Sequence, residues 1–139
     1  MVKILVLNGA NINAKDKNNW TLLHYALSSG SVTICHFLVE NGADVNACDI
    51  HGFRPLHFTN NIEIIQILLL NGANVNIRAN NMWTPLLYAC KNHQLEVVKL
   101  LIQNGAHVNV KDQNWQHTPL HLATYKKQKD VAAQKVQWN

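Results

Sequence analysis

The sequence predicts an all-α protein, a solenoid of stacked helix-turn-helix units joined by hairpin loops. Asn-Gly-Ala occurs four times, with its glycines at positions 9, 42, 72 and 105, spaced by 33, 30 and 33 residues. A second motif related to Thr-Pro-Leu-His occurs in fixed phase with the first, at residues 21–24, 54–57, 84–87 and 118–121. The apolar segments after these motifs are too short to be stable helices alone, so each must pack on its neighbours.

The first full unit shows why helices are expected. Thr21 offers a hydroxyl that can cap a helix, which we predict over about residues 22–28 and which Gly30 would end with a left-handed turn. A second helix is predicted over about residues 32–40, ending at Asn41-Gly42. The polar, turn-forming residues that follow predict an extended hairpin leading to the next unit.

The later units depart from this pattern in specific ways. In the second unit, the segment Thr59–Ile62 is three residues shorter than its counterpart, which predicts a short first helix and a local kink. The third unit has Leu87 in place of His and Met82 in place of Gly. The fourth is one residue longer, and Gln134 and Lys135 in its second helix predict a polar closing cap.

The first segment begins within a second helix and has no first helix to pack on. Its apolar side chains are therefore expected to lie partly exposed, at Val2, Ile4, Leu5 and Leu7. We expect a fragment of a longer array or an irregular N-terminal cap.

Composition excludes several classes of protein. The 139 residues are 47% hydrophobic and 14% charged, unlike a disordered chain. No apolar run reaches the length of a membrane helix, and the N-terminus is a poor secretory signal. Cys35, Cys48 and Cys90 are odd in number and far apart, which favours reduced thiols. We expect a cytoplasmic protein, with delivery into a host cell left open.

The motif D-x-x-G-x-T-P-L-H, the paired helices and the sequence G-A-D-V-N-A at residues 42–47 resemble the ankyrin repeat. The resemblance covers the whole chain, as a partial unit at 1–15 and units at 16–48, 49–78, 79–111 and 112–139. It implies a monomeric, non-enzymatic protein–protein interaction module without cofactor. The alternative is a passive repeat segment of a larger toxin, channel, enzyme or host-directed effector.

Residues that could carry chemistry give no catalytic or metal site. The resemblance implies that the imidazole of the repeated motif bonds its Thr and the backbone of the adjacent loop, a structural role for Thr21, His24, His57, Thr84, Thr118 and His121. Cys48 and His51 have ligand-like spacing, but no second pair completes a zinc site. There is no phosphate-binding Gly-rich loop and no nucleophile elbow.

One aromatic residue precedes each motif: Trp20, Phe53, Trp83 and, at the insertion, His117 with Trp115 nearby. The resemblance places this position at the edge of a concave surface, which predicts anchors for a protein partner. Alternatively, the rings pack on neighbouring hairpins, and both roles are compatible. The predicted surface includes the polar hairpin tips, at Lys17, Asn18, Ile50, His51, Asn80, Asn81, Gln113 and Asn114. It lacks the dense positive charge needed for nucleic acid, and we expect no membrane binding.

One modification site is also implied by resemblance. Asn46, with Leu38 eight residues earlier, resembles the site of asparaginyl hydroxylation in some ankyrin-repeat proteins, and Asn76 and Asn109 fit partly. The interpretation we favour is that these side chains stabilise the hairpin through bonds to the backbone.

Overall fold

The computed structural model describes residues 1–125, and the predicted cap at Gln134 and Lys135 lies outside them. This part of the chain is all-α, as predicted, and contains no strand. Its helices are α1 (Val2–Leu7), α2 (Leu22–Ser29), α3 (Val32–Glu40), α4 (Pro55–Phe58), α5 (Ile62–Leu70), α6 (Pro85–Lys91) and α7 (Leu95–Gln103). A further helical segment, α8, covers 119–125.

The helices form two layers. Within units, α2 packs on α3, α4 on α5 and α6 on α7, while α2, α4 and α6 contact one another in sequence, as do α3, α5 and α7. The core lies between the layers and contains fully buried aliphatic side chains: Leu23, Leu38, Ile64, Leu68, Leu86 and Leu87. Helices α2 to α7 therefore bury apolar side chains against one another.

Asn-Gly-Ala ends the second helix of each unit by the same contacts. Asn41 Nδ2 donates to the Phe37 carbonyl at 2.8 Å, and Gly42 then takes a φ of 92°. The bond from Asn Nδ2 to the carbonyl four residues earlier recurs at Asn8, Asn71 and Asn104. A carbonyl left unpaired at the helix end is thus satisfied, and glycine takes the left-handed conformation.

The missing residues of the second unit shorten α4, as predicted. This helix has four residues, whereas α2 has eight and α6 has seven. Thr59 turns extended at its end, and Asn61 then caps α5 by accepting a bond from Ile64 N at 3.1 Å. The predicted kink stays a prediction.

Helix α1 has no buried residue. Ile4 is 67% exposed and Leu7 is 72% exposed, in line with the expectation for this segment. Val2 and Ile12 still pack against the edge of the core.

Candidate functional site: the hairpin and first-helix surface

Each hairpin except the third is closed around an aspartate. Asp49 Oδ1 accepts from the backbone N–H groups of His51 at 2.8 Å and Phe53 at 2.9 Å, and Asp49 N donates to the Phe53 carbonyl. Asp16 and Asp112 accept backbone bonds at the same position. These carboxylates are directed into the hairpin backbone and fix its shape.

The third hairpin has Ala79 where the others have aspartate. Asn81 Oδ1 accepts from Trp83 N at 3.1 Å and replaces one of the lost bonds. Met82 has a φ of 66°, close to the 77° of Gly52 at the same register. A bulky residue is strained in this conformation, so this hairpin holds an unfavourable backbone.

The predicted aromatic residues lie in a continuous row of rings. Trp20 contacts Phe58 with ring centroids 5.5 Å apart, and Phe58 lies 6.0 Å from Phe53. Phe53 lies 5.7 Å from Tyr88, which contacts Trp83 at 4.7 Å. Hairpin rings thus alternate with rings from the first helices, and each hairpin ring stays partly exposed.

Two rings of this row, and a third ring that contacts Trp20, were not predicted from the sequence. Tyr25, Phe58 and Tyr88 each directly follow the last residue of the repeated motif, and the fourth unit has Leu122 there. Their recurrence at one register was the signal that could have revealed them. These rings lie on the first helices and contact the rings of the hairpins.

Trp115 differs from the other hairpin aromatics because it is 76% exposed. Its hairpin closes between Asp112 N and the His117 carbonyl, one residue more than the hairpin that closes between Asp49 and Phe53. The predicted insertion therefore lies in this hairpin. Trp115 stacks on His117 with centroids 6.4 Å apart and 15° between the rings.

Trp83 and Trp115 both line a cleft of about 380 Å³, which is formed by residues of the third and fourth units. Tyr88, Lys91 and His117 also line it. Lys91 Nζ lies 5.1 Å from the centroid of the Trp83 ring, a cation–π contact. We name this space the aromatic cleft.

His57 connects two units. Its Nδ1 accepts from Arg54 N at 3.0 Å, and its Nε2 lies 3.1 Å from the Trp83 carbonyl of the next hairpin. Burial lowers the pKa of His57 to about 4, although the hydrogen bond to the Trp83 carbonyl opposes the shift. The imidazole is therefore neutral near pH 7, with both nitrogens engaged.

The other histidines of the motif keep only part of this arrangement. His24 Nδ1 accepts from Thr21 N at 3.0 Å, but its buried Nε2 makes no bond within residues 1–125 as close as the one from His57 to Trp83, and burial lowers the pKa of His24. His121 Nδ1 accepts from Thr118 N at 3.1 Å and is exposed. Thr84 has no histidine after it and caps α6 through Leu87 N.

The residues predicted at the hairpin tips, polar apart from Ile50, are mostly accessible to solvent. Asn81 is half-buried, and the others are exposed: Lys17, Asn18, Ile50, His51, Asn80, Gln113 and Asn114. Adjacent tips are bonded, since Asn80 N donates to the His51 carbonyl at 3.0 Å.

A separate set of asparagines, in the loops that follow the second helices, joins successive units. Asn46 Nδ2 donates to the Gly72 carbonyl at 3.0 Å, while its Oδ1 accepts from Asn74 N at 3.0 Å. Asn13 and Asn76 bind the next unit in the same way. We call this pair of bonds the asparagine clamp. Hydroxylation of Asn46 stays a prediction.

Within residues 1–125, no group of three or more His, Cys, Asp or Glu side chains converges to hold a metal. Cys35, Cys48 and Cys90 are free thiols, and burial raises the pKa of Cys35 to about 11. No helix in this part of the chain is both long enough and apolar enough to cross a membrane.

A family model of ankyrin repeats in three copies matches residues 1–79 and again residues 58–134. The chain belongs to the ankyrin-repeat family. Ankyrin repeats are generally protein–protein interaction modules and are typically non-enzymatic. The ankyrin repeat protein FPV034 of fowlpox virus (strain NVSL) is 31% identical over 94 residues, which cover 67% of this chain. The match spans 23% of the length of that viral protein.

Proposed function

We propose that this ankyrin-repeat chain captures a protein partner, without chemistry, on the surface formed by its hairpins and first helices. The observation that carries the proposal is the row of aromatic rings from Trp20 to Trp83. Its rings are held in place by one another yet remain partly exposed. Rigid, partly exposed aromatic side chains make strong anchors, since little conformational entropy is lost when a partner binds them.

The surroundings of the row also suit a protein partner. The hairpin tips offer exposed amide and imidazole groups, and a polar rim around apolar anchors is the usual composition of a protein interface. His57, which contacts the row, has both ring nitrogens engaged in bonds within the fold, so neither is available to accept a proton from a bound molecule. We therefore propose no catalytic role for this surface.

Affinity capture with quantitative mass spectrometry tests the proposal. The test variant is Trp20→Ala with Trp83→Ala, and the matched control is Leu70→Ala with Leu95→Ala, two exposed residues on second helices. We expect the Trp variant to lose about 10-fold or more of partner capture while keeping its helical circular dichroism. Undiminished capture by the Trp variant, or an equal loss in the control, would refute the proposed surface.

A second proposal concerns the biological context. The repeats would be a segment of a larger toxin, channel, enzyme or effector whose activity lies elsewhere, and the match to only 23% of a viral relative favours it. Determining the full transcript and protein product in the source cells tests it. A product with no domain beyond the repeats would contradict it.

We also propose an intracellular, monomeric protein. Its three free thiols support a reducing compartment, since none is paired in residues 1–125. Light scattering after size exclusion should give a mass near 15.7 kDa, and thiol labelling of protein from cells should modify all three cysteines after unfolding. A dimer mass or a protected thiol pair would contradict this.

A further inference from the structure

We infer that the aromatic cleft is the anchor site for an acidic peptide segment that carries a bulky apolar side chain. The inference rests on the proposed function for the surface, and adds the position of the anchor and the chemistry of the partner. It is carried by the geometry of the cleft and by the placement of charge around it.

The apolar anchor follows from the two indoles. Trp115 presents most of its surface to solvent, because the extra hairpin residue places it outside the aromatic row. It lines the cleft together with Trp83, and the cleft volume of about 380 Å³ falls in the range of small-ligand pockets. A large exposed aromatic surface beside such a pocket is typical of a binding site rather than of a stacking contact.

The acidic character follows from the charged groups at the cleft. Lys91 lies over the Trp83 ring and provides a positive charge at the edge. Among residues 1–125, Asp112 is the one carboxylate that lines the cleft; it is only 2% exposed, and its Oδ1 accepts two backbone N–H bonds. A cationic partner group would compete with Lys91 for the Trp83 face, whereas a carboxylate would pair with Lys91.

Positive side chains are also more exposed than carboxylates along the rest of the hairpin surface. In residues 1–125, each hairpin carboxylate accepts bonds from backbone N–H groups of the hairpin to which it belongs. These carboxylates are Asp16, Asp49 and Asp112. The glutamates are exposed, and all three lie on the second helices, at Glu40, Glu63 and Glu96. The hairpin side therefore presents exposed Lys17 and Lys91, whereas Asp49 and Asp112 are buried and the partly exposed Asp16 accepts a bond from the Tyr25 hydroxyl, which favours an acidic partner over a basic one.

The test is selection of a phage-displayed library of random nonapeptides on the full 139-residue chain, followed by affinity measurements on the enriched peptides. We expect acidic residues around one bulky apolar residue, and weaker binding at higher salt, since charge pairs are screened. Trp115→Ala and Lys91→Glu should each weaken binding by about 10-fold. The matched controls, Leu70→Ala and Lys99→Glu, are exposed substitutions on second helices and should change affinity less than about 2-fold.

The outcomes separate this inference from the proposed function. Enriched peptides that are basic or neutral, or that bind Trp115→Ala normally but lose affinity to Trp20→Ala, would overturn the acidic anchor and leave the hairpin surface standing. Failure to enrich any peptide would also overturn the acidic anchor, while peptides whose binding depends on the second helices would overturn both proposals. Normal circular dichroism of Trp115→Ala, expected because its ring is mostly exposed, shows that lost binding is not lost folding.

Discussion

Replacing Gly52 with alanine will measure how closely the second and third hairpins are joined. Gly52 has a φ of 77°, and an added Cβ would lie 2.3 Å from Asn80 Oδ1 and 2.8 Å from Asn80 N. Gly30 is a matched control, because its φ is 70° and a Cβ there would meet nothing within 4 Å. The two substitutions share the backbone strain and differ in the contact with the next hairpin.

The magnitudes follow from these contacts. A left-handed alanine costs about 1–2 kcal/mol, partly offset because alanine restricts the unfolded chain, so Gly30→Ala should lose about 1 kcal/mol. In Gly52→Ala the clash must move Asn80, which donates to the carbonyls of His51 at 3.0 Å and Ile50 at 3.4 Å. At about 1 kcal/mol per hydrogen bond, Gly52→Ala should lose about 3 kcal/mol.

Urea unfolding followed by circular dichroism gives both free energies. The double variant Gly52→Ala with Asn80→Ala removes the nearest side-chain atom and should lose less than the sum of the single variants. Equal losses for Gly52→Ala and Gly30→Ala would refute the close approach of the two hairpins.

Three other substitutions test separate features. Met82→Gly relieves a left-handed methionine and should raise the unfolding free energy by about 1 kcal/mol in urea titrations; no gain would show the backbone there to be unstrained. Asn46→Ala removes two bonds between units and should cost about 1–2 kcal/mol by the same titration, whereas Asn109→Ala, exposed at the same register, should cost almost nothing; equal costs would contradict the clamp. Because the pKa of His57 is about 4 when folded and near 6.5 when unfolded, the unfolded chain takes up the proton first, so stability should fall by about 2.5 kcal/mol as the pH drops from 6.5 to 4. His57→Gln should flatten this part of the pH profile of Tm, and an unchanged slope would exclude His57 as its source.

The helices were largely predictable from the sequence because the signals that start and stop them are local. The helix predicted over residues 32–40 is α3, Val32–Glu40, and the one predicted over 22–28 extends one residue further, to Ser29. The short α4 could be predicted from the length of the second unit. A segment that lacks three residues is too short to form both the full helix and the turn after it.

The site was less predictable because its contacts join residues far apart in sequence. The motif register identified Trp20, Phe53 and Trp83, but not that rings of the first helices would lie between them. The position of the inserted residue was visible, but the resulting exposure of Trp115 depends on how the hairpin closes around Asp112. Such details are set by tertiary packing, and spacing alone does not contain them.

The asparagine clamp has a consequence for how such arrays diversify. It recognises only main-chain atoms of the following loop, a glycine carbonyl and an N–H two residues later, and the residues supplying that N–H are Asp44, Asn74 and His107. An acid, an amide and an imidazole thus occupy one register without altering the joint. Mutation can therefore change the side chain at this loop position while the hydrogen bonds between successive repeats are kept.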